Sequence, residues 1–216
     1  MNTEFARQRM VDQQIRTWNV HETSVLEAIQ ALPREQFVAP GFEKLAYTDT
    51  EIPLLHGQKM MRPIVEGRLL QELRLNRHHS VLEIGTGSGY LTACLAALSG
   101  SVRSIEYYQD FVDQAAHRLD DLGIENVTIE CMDAMASLPD DQFDAIAVTG
   151  SVPRPDQRLL ACLKPGGRMF VVTGDSPVMS AELVTRGDGG EWQATSLFET
   201  DIAPLLNVDS TPAFSF

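Results

Sequence analysis

Cysteine is scarce in this chain: Cys94, Cys131 and Cys162 are its only three, widely spaced and odd in number. With no C-x-x-C pair, the sequence offers neither a zinc site nor a disulfide framework. Each thiol reads as a small buried side chain, and no metal is expected. Basic residues are also few. Lys and Arg number 17 against 30 Asp and Glu, a formal net charge of −13. That balance argues against nucleic acid as a partner, because such binding is driven by neutralising phosphates. No apolar run reaches the length of a membrane-spanning helix. The opening Met1-Asn2-Thr3-Glu4-Phe5-Ala6-Arg7 has no apolar signal region. A soluble, cytoplasmic protein with no membrane partner is therefore expected. Internal repeats and low-complexity linkers are missing too. What is present is a chain of 216 residues, 44% hydrophobic, enough for one domain with a real core.

Apolar spacing organises that chain into two parts. Met10, Val11, Ile15 and Trp18 recur at helical spacing, predicting a helix over 5–18. A second helix is predicted over 22–32, stopped by Pro33. Residues 37–62 contain Pro40, Gly41, Pro53 and Gly57 and read as a long irregular stretch, a feature usually tied to function. Pro63 suits the first turn of a helix over 63–73. From His79 onward strand and helix alternate. Strands are predicted at 81–84, 102–106, 127–131, 143–148 and 169–172. Helices are predicted at 91–98, 110–122 and 157–163, with Gly123 capping the second and a turn at Lys164-Pro165-Gly166-Gly167. This alternation implies α/β architecture with a doubly wound, mostly parallel Rossmann-like sheet. Segments 181–185 and 192–198 flank Gly187-Asp188-Gly189-Gly190 and predict a C-terminal antiparallel hairpin. The expected division is an N-terminal helical cap and substrate loop at 1–77, a cofactor-binding core at 78–198 and a tail at 199–216.

The most informative run is Val81-Leu82-Glu83-Ile84-Gly85-Thr86-Gly87-Ser88-Gly89-Tyr90. An apolar strand meets an acid, three alternating glycines follow, and an apolar helix begins. That is the layout of a nucleotide-like cofactor site at the first β-to-α turn of an open sheet. Its G-x-G-x-G spacing differs from the dinucleotide G-x-G-x-x-G and resembles the first motif of methyltransferases that use S-adenosylmethionine (SAM). Glu106 ends the second strand, where an acid accepts bonds from both ribose hydroxyls. Asp133, in Cys131-Met132-Asp133-Ala134, is placed for an adenine amino group or, alternatively, for capping a helix. A dinucleotide would set a pyrophosphate on the helix after Gly89. An acidic lining of Glu83, Glu106 and Asp133 suits the cationic sulfonium of SAM better. The resemblance implies cofactor contacts from Glu83, Gly85, Thr86, Gly87, Ser88, Gly89, Tyr90, Glu106, Tyr107, Asp133, Ala134 and Thr149.

The cap carries a narrower resemblance. Met10-Val11-Asp12-Gln13-Gln14-Ile15, Ala31-Leu32-Pro33-Arg34-Glu35-Gln36-Phe37-Val38, Ala46-Tyr47-Thr48-Asp49, Ile52-Pro53-Leu54 and Gly57-Gln58 resemble segments of protein-L-isoaspartate O-methyltransferases. Val148-Thr149-Gly150-Ser151-Val152-Pro153 is similar to that family's loop after the fourth strand. The resemblance implies methyl transfer from SAM to the carboxylate of isoaspartyl residues in damaged proteins or peptides. It also implies acceptor contacts from His56, Gln58, Lys59, Met61, Arg62 and Ser151. One segment departs. After Gly57-Gln58 the family has Thr-Ile-Ser, whereas this chain has Lys59-Met60-Met61. Met61 lacks the hydroxyl that would orient the carboxylate, so isoaspartyl methylation is expected to be weak or absent. Lys59 and Arg62 could instead grip a carboxylate, or be exposed loop charges. His56 could be a packing residue. The alternatives are a small-molecule acceptor on the same scaffold, or a SAM-binding protein without catalysis.

Overall fold

The computed structural model describes residues 3–208, so the part of the predicted tail at 209–216 lies outside the described residues. The N-terminal segment is helical but not continuous. α1 (Thr3–Met10) runs into a π-helical turn, Val11–Ile15, and a 3-10 turn, Arg16–Trp18. Regular α geometry would set Met10 and Val11 about 100° apart. Both are buried, together with Ile15, so this segment keeps one face against the core through the change of helix type. α2 (Thr23–Ala31) and α3 (Pro63–Leu73) follow. Pro63 takes the first helical position, where its missing N–H costs nothing. Between them, the irregular stretch contains a small hairpin. β1 (Ile52–Pro53) pairs with β2 (Lys59–Met60) antiparallel around a 3-10 turn, Leu55–Gly57.

The body alternates as the spacing predicts: β3 (Ser80–Ile84), α4 (Tyr90–Leu98), β4 (Ser101–Glu106), α5 (Gln109–Asp121), β5 (Val127–Cys131), β6 (Phe143–Val152), α6 (Gln157–Ala161) and β7 (Leu163–Asp175). β8 (Val178–Arg186) and β9 (Trp192–Thr200) finish the chain's seven-stranded sheet, ordered β5-β4-β3-β6-β7-β8-β9. Pairing is parallel from β5 to β7 and antiparallel from β7 to β9. Lys164-Pro165-Gly166-Gly167 is not a free turn before β7. It lies within that strand as an irregularity, because Phe143 pairs with Leu163 but Ala145 pairs with Arg168.

The core lies on both faces of this sheet. One apolar cluster joins the cap, through Met10, Ile15, Val20 and Phe37, to α3, α4 and the sheet residues Val81, Ala147 and Phe170. A second, built around Leu82, Ile146, Leu159 and Val171, covers the other face. Cys94 and Cys162 are buried, but Cys131 is exposed, correcting the expectation for that thiol. After β5 the chain returns to place β6 on the far side of β3. The strand order therefore reverses at β3, and the connections on its two sides lead apart, opening a crevice at the carboxyl ends of these parallel strands. Among the described residues, no helix is long and apolar enough to cross a membrane.

Candidate active site

The crevice is built on the glycine run. Gly85, Gly87 and Gly89 adopt φ of 93°, 52° and 85°, a region that side-chain-bearing residues rarely adopt. Two of the three also face close neighbours. A Cβ on Gly85 would come 2.2 Å from Thr149 Oγ1, and one on Gly89 would come 3.0 Å from Ala115 Cβ. Gly87 is different: its nearest contact would be Leu54 Cδ1 at 3.5 Å, and it lines the cavity. Thr149 Oγ1 lies 2.8 Å from Ile84 O and 2.9 Å from Gly85 O, so its hydroxyl fixes the end of β3 to β6.

Glu106 is the acid most firmly aimed at this cavity. One carboxylate oxygen accepts the Gly87 N–H at 2.8 Å and the other the Tyr108 N–H at 3.0 Å. The residue is 6% exposed and lines the cavity. A carboxylate has about four acceptor sites, so two remain for hydroxyls of a bound molecule. Asp133 also lines the cavity, and its side chain closes a turn rather than capping a helix, since β6 is the next element after β5. Its Oδ1 accepts the Met135 N–H at 2.8 Å, and its Oδ2 accepts Asn207 Nδ2 at 2.8 Å. Between these acids the walls are apolar, from Ile105, Met132, Ala134 and Leu205. The arrangement can hold a diol at Glu106 and a flat apolar group beside it. Tyr107 stands at the rim, 46% exposed.

Four predicted cofactor residues turn elsewhere. Glu83 is fully buried beneath the turn, where its Oε2 accepts Ser104 Oγ at 2.5 Å and Thr92 Oγ1 at 2.6 Å. Thr86 Oγ1 meets Ser104 Oγ at 2.6 Å in the same network. Ser88 Oγ accepts the Tyr90 N–H at 3.3 Å, just ahead of α4. Tyr90 is buried under Arg34, whose guanidinium lies 4.5 Å from the ring centroid, and against Phe37. None of these four lines the cavity, and neither does a fifth predicted residue, Gly89, which faces Ala115. The acidic lining therefore loses Glu83 and gains Glu51.

Burial pushes the Glu83 carboxyl up to about 8, outweighing the hydroxyl bonds that favour its ionised form. Its Oε1 is buried with no hydrogen-bond partner, in keeping with a neutral acid. The folded protein thus keeps a proton that the unfolded chain releases near 4.5, and stability falls as pH rises from about 4.5 to about 8. Glu83→Gln should flatten that fall, leaving the part due to Glu66, whose carboxyl burial raises to about 7. Urea unfolding at about pH 5 and about pH 8 checks this. An unchanged slope in the variant would contradict it.

The mouth is formed by the β1–β2 hairpin and the tail. Gln58, Lys59 and Met61 line the cavity. Lys59 Nζ pairs with Glu51 Oε2 at 2.7 Å, and that partner raises its pKa. The other predicted acceptor residues do not face the cavity. His56 stacks on Tyr108, with ring centroids 3.9 Å apart, and pairs with Asp110 at 2.9 Å. Arg62 reaches Asp49 at 3.8 Å. Ser151 is buried beneath the tail. Its N–H donates to Ala203 O at 2.9 Å, its hydroxyl donates to Ile202 O at 3.1 Å, and its carbonyl accepts the Leu205 N–H at 3.0 Å. These bonds lay Ile202, Pro204 and Leu205 along the cavity.

Sequence reasoning missed Arg34 and the tail. Arg34 has no exposed surface, pairs with Glu66, and donates to Met61 O at 2.7 Å. It ties the mouth to α3 and α4. Beside Glu35 and Gln36 in the segment Ala31 to Val38, it reads in sequence as one more polar turn residue. The tail gave no signal, because its contacts are largely backbone bonds to a strand 50 residues away.

The fold is similar to that of a Plasmodium falciparum protein solved with S-adenosyl-L-homocysteine (SAH) and described as a protein-L-isoaspartate O-methyltransferase. The TM-score is 0.79 over 92% of this chain and 97% of that one, at 20% identity. At that identity the likeness is one of fold. Sequence relatives are nearer. A protein-L-isoaspartate O-methyltransferase from Brucella anthropi is 34% identical over 98% of both chains. Another, from Syntrophobacter fumaroxidans, is 37% identical over 88% of this chain and 89% of its own. The family model for protein-L-isoaspartate(D-aspartate) O-methyltransferase matches residues 5–209, taking in the hairpin at the mouth, the glycine cradle and the tail above it. With the whole of the site inside that match, the chain belongs to the protein-L-isoaspartate(D-aspartate) O-methyltransferase family.

Proposed function

We propose that this chain is a SAM-dependent methyltransferase that esterifies the free carboxylate of isoaspartyl residues in damaged proteins or peptides. The observation that carries the cofactor assignment is Glu106, buried, fixed by two backbone N–H groups and facing the cavity beside an unobstructed Gly87. A ribose diol fits there, and the apolar walls at Ile105, Met132 and Ala134 suit an adenine. Among the described residues, the one lysine or arginine that lines the cavity is Lys59, on the hairpin and already paired with Glu51. When bound, SAM supplies an electrophilic methyl group on a sulfonium.

The chain's own residues have little proton chemistry to perform. An acceptor carboxylate has a reference pKa near 4 and is already ionised at neutral pH. It needs alignment and exclusion of water. In this reading the acceptor passes between the cap hairpin, through Gln58, Lys59 and Met61, and the tail segment Ile202 to Leu206. Met61 is 8% exposed and forms a wall without a hydroxyl donor. A hydroxyl bond that orients the reacting group contributes about 1 kcal/mol, so the rate is expected to be low.

The product distinguishes this chemistry from methylation at nitrogen or at an alcohol. Label transferred from methyl-labelled SAM to an isoaspartyl peptide should be released as volatile methanol on mild base treatment, as a carboxyl ester requires. Label that survives base would overturn the assignment.

A further inference from the structure

We propose that Lys59 is the counter-ion that receives the acceptor's carboxylate, and that Glu51 holds its place until the acceptor arrives. The inference rests on the carboxyl-methylation reading above. It starts from charge. The chain carries a formal net charge of −13, and three carboxylates line the cavity, from Glu51, Glu106 and Asp133. An anionic acceptor entering such a cavity meets repulsion unless a cation faces it. Among the described residues, Lys59 is the one cation on the cavity wall.

Its neighbours in sequence are committed elsewhere. Arg62 turns to Asp49, and His56 is held between Tyr108 and Asp110. Glu106 and Asp133 lie at the cofactor end, each bonded to backbone or tail. Lys59 stands on the hairpin that forms the mouth, with its side chain about half exposed. Its pairing partner Glu51 is itself a carboxylate, 2.7 Å away. Exchange of Glu51 for an acceptor carboxylate replaces like with like, so the ammonium keeps an anionic acceptor throughout. An ion pair this open to solvent contributes little to stability, so the exchange is inexpensive. The three rotatable donors of an ammonium on a flexible stem allow it to follow the incoming group.

The test compares steady-state methyl transfer to an isoaspartyl peptide by the wild type, Lys59→Gln, Lys59→Arg and Glu51→Gln, with SAH affinity measured for each. Lys59→Gln should raise KM for the peptide by about 10- to 100-fold, as loss of a charge-assisted bond predicts, with SAH affinity unchanged. Lys59→Arg should restore most of the peptide affinity. Glu51→Gln should move KM the opposite way, because the competing carboxylate is gone. Added salt should raise the wild-type KM and leave that of Lys59→Gln nearly flat. A pair that merely braces the hairpin would make both neutral variants worse together, and that result overturns the proposal. So does an unchanged KM in Lys59→Gln while the wild type turns over. A wild type that binds SAH but transfers nothing to the peptide removes the carboxyl-methylation reading, and this inference with it.

Discussion

Glu106→Ala should weaken binding of SAM and SAH by about 10- to 100-fold, the loss of charge-assisted bonds to two hydroxyls. The effect is large because the carboxylate is positioned in advance. The Gly87 and Tyr108 N–H groups hold both oxygens, so no orientation must be gained on binding. The same substitution frees the Gly87 N–H and loosens the glycine turn beside the cavity. Titration calorimetry with SAH measures the loss, and NAD serves as a control that should show no binding in either protein. Unaltered SAH affinity in the variant, or tight NAD binding by the wild type, would contradict the cofactor assignment.

Arg34→Ala should cost about 3–5 kcal/mol of stability, the range for breaking a buried ion pair. Three interactions go together: the pair with Glu66, the bond to Met61 O and the stacking on Tyr90. Glu66 would then stay buried without its partner. Burial already raises its carboxyl to about 7, so acid relieves the penalty by protonating it. The loss should therefore be smaller at about pH 6 than at about pH 8. Denaturant unfolding at both values checks this. A loss below about 1 kcal/mol, or one equal at both pH values, would contradict the structural role given to Arg34.

The cradle was legible because its signals are local. An apolar strand, alternating glycines and an apolar helix can be read within ten residues, and the strand alternation after it determines the sheet. That Glu106 faces the cavity follows from its place at the end of the second strand. Glu83 lies off the cavity for a physical reason: β3 is covered on both sides, so an acid in it can face the interior as readily as the crevice. Its partners, Thr92 and Ser104, lie on α4 and β4 and leave no mark near it in sequence. For His56, Arg62 and Ser151, acceptor contacts were implied by the family resemblance alone. Their side chains are instead claimed by Asp110 and Tyr108, by Asp49 and by the tail. The hairpin of β1 and β2 was hidden because two-residue strands leave no period to read. The tail's place over the cavity depends on Ser151 and Asn207 meeting partners far away in sequence.

The most direct test of the account is methyl transfer from labelled SAM to an isoaspartyl peptide and to its normal aspartyl twin, measured side by side. The two differ only in which carboxylate is free, so the comparison isolates acceptor recognition from cofactor binding. The account predicts slow but selective labelling of the isoaspartyl peptide, with the aspartyl twin at background. Equal labelling of both, or none of either by a protein that binds SAM, would contradict it.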